Sequence, residues 1–151
     1  PLIDEAAVSH VERLLDDARA KGGKILCGGF SDGLFVRPAV IAGATREMAV
    51  AEEEIFGPVA PLFRFESEEE AVRLANDTEY GLASYLYSRD IGRITRVSEA
   101  LEYGMVAVNT GMLSNAAAPF GGVKQSGMGR EGSRYGMDEY LEMKYIVTAG
   151  I

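Results

Sequence analysis

Three carboxylates stand together at Glu52-Glu53-Glu54, directly before Ile55-Phe56-Gly57-Pro58. An acidic run by itself reads as a solvated face. The abrupt change to Ile-Phe-Gly-Pro, however, sets a carboxylate and an aromatic ring side by side at a bend. The first could accept hydrogen bonds from a sugar diol while the second covers a flat ring. A second stretch, Gly127-Met128-Gly129-Arg130-Glu131-Gly132, has the G-x-G-x-x-G spacing of a dinucleotide turn. The residues before it, Gly122-Val123-Lys124-Gln125-Ser126, do not read as the hydrophobic strand which that motif requires, so it is read as turn sequence. Lys124-Gln125-Ser126 after Gly121-Gly122 misses the spacing of a phosphate loop.

Nucleophiles and metal ligands are scarce. Cys27 ends the apolar run Lys24-Ile25-Leu26-Cys27 with no base beside it, which predicts a buried, inert thiol. His10 falls opposite the apolar stripe of its helix and is expected at the surface. One cysteine and one histidine exclude an internal disulfide and the ligand clusters of most structural zinc sites. No metal site is expected, and a reducing, cytoplasmic compartment fits best.

The elements that must position these groups follow from periodicity. Ala7, Val8, Val11, Leu14, Leu15 and Ala18 recur at helical spacing behind Asp4 as N-cap, with Gly22-Gly23 as stop. Residues 24–27 and 34–41 read as strands, the second notched by Pro38. Residues 59–65 read as a strand, followed by a helix over 71–76 with Ser67 and Glu70 as a capping box. A strand over 83–87, an Asp90-capped helix carrying Ile91, Ile94, Val97 and Leu101, a left-handed exit at Gly104 and a strand over 105–108 complete a strand-helix alternation. That alternation predicts an α/β fold with crossovers onto a parallel sheet. A glycine-rich irregular loop follows, then a short helix over 135–141 and a last strand over 143–148.

Composition narrows the partners. Fifteen Lys and Arg against 23 Asp and Glu leave a net charge of −8, a sign that repels nucleic acid and anionic membrane surfaces. No stretch approaches the roughly 18 consecutive apolar residues of a membrane span, and the first residues have no basic and apolar leader pattern. A soluble, unexported chain is expected, without nucleic-acid or membrane partners.

Glu53-Glu54-Ile55-Phe56-Gly57-Pro58-Val59 resembles a signature of the aldehyde dehydrogenase superfamily, and residues 119–131, beginning Pro119-Phe120-Gly121-Gly122, resemble a second. Ala75-Asn76-Asp77-Thr78-Glu79-Tyr80-Gly81 between them also follows the family pattern. Residues 109–115 and 140–145 are most similar to the succinate-semialdehyde dehydrogenases within it. The resemblance implies the C-terminal part of the family's catalytic domain over residues 1–141, with a parallel-rich sheet, and a terminal oligomerisation strand over 142–151.

It further implies oxidation of a small-molecule aldehyde, succinic semialdehyde to succinate, with NAD or NADP as cofactor. Glu54 matches the family's acceptor for the nicotinamide-ribose hydroxyls, and Phe56 a residue packed near the nicotinamide. Ser114 matches a residue that helps bind the distal carboxylate of the substrate, and Phe120 an aromatic wall of the substrate tunnel. No catalytic residue is carried over. The family's cysteine nucleophile and glutamate base would lie in a missing N-terminal part, so the chain alone is expected to be inactive and the enzyme a homo-oligomer. The alternative is a freestanding, non-catalytic oligomerisation or interaction module of the same fold.

Overall fold

A computed structural model describes residues 1–150, which divide into two units, residues 1–66 and residues 67–150. The boundary falls inside the segment 1–141 that the sequence suggests as one piece.

In the first unit, Asp4 caps helix α1 (Glu5–Ala20) by accepting the Ala7 amide at 2.8 Å. Its stripe of Val8, Val11, Leu14, Leu15 and Ala18 is buried, as the 3.6-residue period requires. The stripe packs on strand β4 (Ala39–Ala44) through Ala39, Ile41 and Ala44, and on Met48 and Val50. Strand β1 (Lys24–Cys27) lies antiparallel to β4, and strand β5 (Val59–Phe63) lies parallel to it on the other side. Pro38 separates β4 from the short strand β3 (Phe35–Val36), which pairs instead with β2 (Ser31–Asp32). The expected strand over 34–41 is therefore two strands, because proline cannot donate to a ladder.

Asp17 links the far end of α1 to the turn at residues 49–51. It accepts the Ala49 amide at 2.7 Å and pairs with Lys21 at 2.6 Å, while Lys21 Nζ also donates to the Glu47 carbonyl. The Lys21 ammonium, and then the Ala49 amide, hold the Asp17 carboxyl below the usual carboxylate range.

Cys27 is exposed, not buried. Strand β1 is an edge strand whose only neighbour is β4, and Leu26 beside the cysteine is 62% exposed. An apolar run reads as buried only if something covers both its faces, and here nothing in the described unit covers the outer one.

In the second unit, Ser67 caps helix α2 (Glu68–Asn76) through the Glu70 amide, and strands β6 (Tyr80–Gly81) and β7 (Ala83–Leu86) follow. Asp90 caps helix α3 (Ile91–Ala100), which crosses over from β7 to a parallel partner, β8 (Met105–Val108). This βαβ unit is the expected one. The larger expectation is corrected: β5 pairs with β4 and not with β7, so the parallel ladders belong to separate sheets. Alternation of strands and helices identifies crossovers but not which strand each one joins.

Buried apolar side chains are few here, chiefly Val97, Met105 and Ala107, and polar ties carry much of the assembly. Glu68 joins α2 to α3 by accepting from Arg96 and Arg93 at 3.0 and 2.9 Å, and these guanidiniums hold its carboxyl below the usual range. The Asn76 side chain donates to the Ala100 carbonyl and accepts the Glu102 amide, and the Tyr103 hydroxyl donates to the Ala75 carbonyl at 2.6 Å.

Two further expectations change. Gly104 does not adopt a left-handed conformation; α3 ends at Leu101 in extended backbone. Glycine is needed at 104 because an added Cβ would lie 2.0 Å from the Gly121 carbonyl oxygen. Residues 135–140 form a 3-10 helix, and residues 142–150 form no strand. Tyr145 and Ile146 are 89% and 75% exposed. A strand exists only against a partner edge, and the described chain supplies none to this segment.

Gly104→Ala is expected to cost about 2–3 kcal/mol, because the obstacle is backbone that cannot rotate away. Denaturant unfolding measures it, and an unchanged midpoint would mean that the Gly121 segment yields freely. For Asp17 the folded pKa lies below the unfolded one, so its contribution is present above about pH 4 and disappears as pH falls through the folded value. Thermal unfolding between pH 7 and pH 3 should therefore show a shallower acid decline for Asp17→Asn, and an identical decline would count against the Lys21 and Ala49 contacts.

Candidate functional site

The segment from Glu52 to Pro58 has no regular secondary structure, yet α1 holds it closely. Ile55 is half-buried against the first unit's core, which turns the side chains on either side of it, Glu54 and Phe56, outward. Phe56 is 83% exposed and has φ +44°, a left-handed conformation uncommon for an aromatic residue. Gly57 then runs so close to the helix that a Cβ there would lie 2.5 Å from Val11 Cγ2. The Pro58 carbonyl accepts the Ala39 amide at 2.9 Å and so starts the β4–β5 ladder.

The three glutamates have different surroundings. Glu53 forms a bidentate pair with the Arg13 guanidinium, which holds its carboxyl below the usual range. Glu54 contributes its main-chain carbonyl, 2.9 Å from His10 Nε2, and leaves its carboxylate exposed. His10 also meets Arg13, with Nδ1 at 3.2 Å from a guanidinium nitrogen. The surface position expected for His10 is thus corrected to a half-buried ring bonded to the loop. The result is an outward carboxylate and an outward ring two residues apart on a braced loop.

In the second unit, Phe120 and Glu131 form an antiparallel bridge, with amide-to-carbonyl distances of 2.8 and 2.7 Å. Between them, strand β9 (Val123–Lys124) pairs with β6. Lys124 is a strut: its Nζ donates to the Asn76 and Thr78 carbonyls at 2.8 and 3.2 Å and pairs with Glu102 at 2.6 Å. The Ser126 hydroxyl accepts the Gly81 amide, and Arg130 donates to the Gly122 and Gly129 carbonyls. Gly127, Gly129 and Gly132 all have positive φ and shape turns.

This loop walls an open cleft of about 450 Å³, lined by Phe120, Leu82, Arg130, Glu139 and Tyr140 among others. Ser114 does not line it; it lies exposed in the irregular run after β8. That run is launched by Asn109, at φ +54°, whose side-chain amide bonds both the amide and the carbonyl of Ser88. Glu54 and Phe56 therefore share one loop, whereas Phe120 and Ser114 fall on different parts of the second unit. His10, Arg13, Lys124 and Arg130 went unassigned in the sequence. The i, i+3 spacing of His10 and Arg13 on the polar face of α1 was the available signal for the first two.

No group of three or more His, Cys, Asp or Glu side chains placed to hold a metal ion occurs among the described residues, and no described helix is long and apolar enough to cross a membrane.

Comparison with known proteins supplies the relationship. The profile of the aldehyde dehydrogenase family matches residues 1–146. A 3-sulfolactaldehyde dehydrogenase of Pseudomonas putida is 60% identical over all of this chain and 32% of its own length. The mitochondrial succinate-semialdehyde dehydrogenase of Oryza sativa is 57% identical over all of this chain and 29% of its own. The crystal structure of succinate-semialdehyde dehydrogenase from Burkholderia pseudomallei superposes with a TM-score of 0.93 at 64% identity, over 97% of this chain and 31% of that one. The chain thus spans about a third of the length of the relatives it matches. With a profile match over nearly its whole length and both signature loops in place, the chain belongs to the aldehyde dehydrogenase family.

Proposed function

We propose that this chain is the C-terminal part of an NAD(P)+-dependent semialdehyde dehydrogenase that oxidises succinic semialdehyde to succinate. The observation that carries the reading is the braced loop presenting Glu54 and Phe56 outward, one residue either side of the half-buried Ile55. A carboxylate offers two acceptor oxygens to a vicinal diol, and an exposed ring offers a flat apolar face, so these residues fit a nicotinamide ribose and its base. Among the relatives, an Escherichia coli succinate-semialdehyde dehydrogenase is named for NADP(+), and a Staphylococcus aureus betaine aldehyde dehydrogenase was crystallised with NAD+. Either cofactor is consistent with a diol-binding carboxylate.

When bound, the cofactor supplies a hydride acceptor. The chain's own residues orient it: Glu54 holds the ribose hydroxyls and Phe56 limits where the nicotinamide lies. Phe120 walls the aldehyde's path, and Ser114 offers a hydroxyl donor to the distal carboxylate of the substrate. Cys27, the only thiol, stands at the end of edge strand β1 and outside both motif loops, so it is not assigned the nucleophile's role. The nucleophile and the general base come from the N-terminal part of the enzyme, and the isolated chain has no aldehyde oxidation activity of its own. The segment 142–151, rich in Tyr, Ile, Val and Thr, pairs with another chain in a homo-oligomer. The single exposed cysteine is consistent with a reducing cytoplasm.

In the complete enzyme, Glu54→Gln should slow single-turnover NAD(P)H formation about tenfold to a hundredfold, because a charged acceptor for the diol is lost. An unchanged rate would return Glu54 to the solvated acidic run. Ser114→Ala should lower kcat/KM for succinic semialdehyde by about 1–3 kcal/mol relative to an uncharged aldehyde of similar length. Equal losses on both substrates would make Ser114 a loop-shaping residue.

A further inference from the structure

We propose that His10 and Arg13, one turn apart on α1, are positioning residues for the cofactor-binding carboxylate of Glu54, and that they act through a fixed histidine tautomer. The inference rests on the reading of Glu54 as the ribose-diol acceptor, and adds what sets that carboxylate in place.

The chain of contacts has a direction. A guanidinium has five N–H donors and no acceptor. Its approach to His10 Nδ1 at 3.2 Å therefore requires Nδ1 to present its lone pair, which leaves the ring proton on Nε2. That proton points at the Glu54 carbonyl oxygen, 2.9 Å away. The same guanidinium nitrogen turns its other N–H to Glu53 Oε2, while its neighbour donates to Oε1, so both carboxylate oxygens of Glu53 are gripped. One turn of helix thus holds two consecutive residues of the loop, Glu53 by its side chain and Glu54 by its main chain. The carbonyl of Glu54 belongs to the peptide plane joining it to Ile55, so fixing that plane sets the Glu54 backbone from which its side chain projects. Val11, the residue after His10, meets Gly57 on the other side of the outward pair. An irregular segment of this length would otherwise be free to reorient, and a carboxylate displaced by about 1 Å loses much of its effect on a bound diol.

The roles of ring and donor can be separated. His10→Phe keeps a ring of similar size without a donor, whereas His10→Gln keeps a side-chain N–H able to reach the same carbonyl. In the complete enzyme, equilibrium binding of NADH and of NADPH, followed by nicotinamide fluorescence, is the first readout. His10→Phe and His10→Ala should each weaken binding about three- to tenfold, the value of one hydrogen bond, and raise the KM for the oxidised cofactor similarly. The KM for the aldehyde should stay unchanged, and His10→Gln should recover most of the loss. Arg13→Met should act in the same direction.

Preserved binding in His10→Phe with loss in His10→Gln would mean that the ring only packs, and would overturn the proposal. Equal changes in both KM values would overturn it as well, by showing general loss of structure. Glu54→Gln separates the two levels of the argument. If it weakens cofactor binding while His10→Phe and His10→Ala do not, the positioning role fails and the reading of Glu54 stands. If Glu54→Gln itself has no effect, the proposal falls with the reading beneath it. If both hold, adding His10→Phe to Glu54→Gln should cost less than it costs alone, since there is then no charged acceptor left to position.

Discussion

Burial of the apolar stripe of α1 against β4 is the constraint on which the first unit depends. Val11, Leu14, Leu15 and Ala18 have no exposure to speak of, and they fix the helix in rotation as well as position. Rotation is what matters for the loop. Once the stripe faces Ile41 and Met48, the helix presents Val11 to Gly57 and His10 and Arg13 to the acidic segment, with Asp17 at the turn that precedes it. A helix turned by one residue, about 100°, would bury the same number of methyl groups only by removing each of these contacts. The geometry of the loop is thus a consequence of core packing, although hardly any of the loop is core.

The second unit reaches definition by a different route. Its buried apolar groups are few, and backbone carbonyls at the ends of helices are satisfied by side chains reaching across: Lys124 and Tyr103 to the end of α2, and Asn76 to the end of α3. Helix ends leave unpaired carbonyls, and each left bare would cost more than a single net hydrogen bond returns. The lysine of the second signature has this structural function. Its ammonium is engaged with two carbonyls and a carboxylate, and a group so engaged is poorly suited to serve as a mobile cation for a substrate.

What was legible in the sequence is what local physics determines. The Asp4, Ser67 and Asp90 caps, the α1 stripe and the β7–α3–β8 crossover all rest on contacts within a few residues or on one periodicity. The expectations that changed depend on what lies across from a residue. Cys27 is exposed because β1 is an edge, and β5 pairs with β4 because crossover patterns do not name partners. Gly104 is required by the approach of Gly121, seventeen positions away and invisible to a local reading. The same logic governs residues 143–148, whose composition suits a strand but which face no partner edge among the described residues. At the site, the residue types in the two signature loops were legible, but the bond from His10 to the loop was not, because its partner is 44 residues distant.

The acidic run shows why residue type alone does not decide between a solvated face and a binding group. Three identical side chains in succession reach three situations. Glu52 is exposed before the bend, Glu53 is neutralised by Arg13, and Glu54 is exposed beyond it with only its main chain engaged. Pairing with Arg13 occupies the Glu53 carboxylate and leaves that of Glu54 facing outward. The same guanidinium orients the imidazole that bonds Glu54, so one cation both occupies Glu53 and directs the loop. A carboxylate meant only for solvation needs neither service. The expenditure of a helix turn, a left-handed phenylalanine and a glycine on keeping Glu54 and Phe56 outward is understandable if what they face is a ligand.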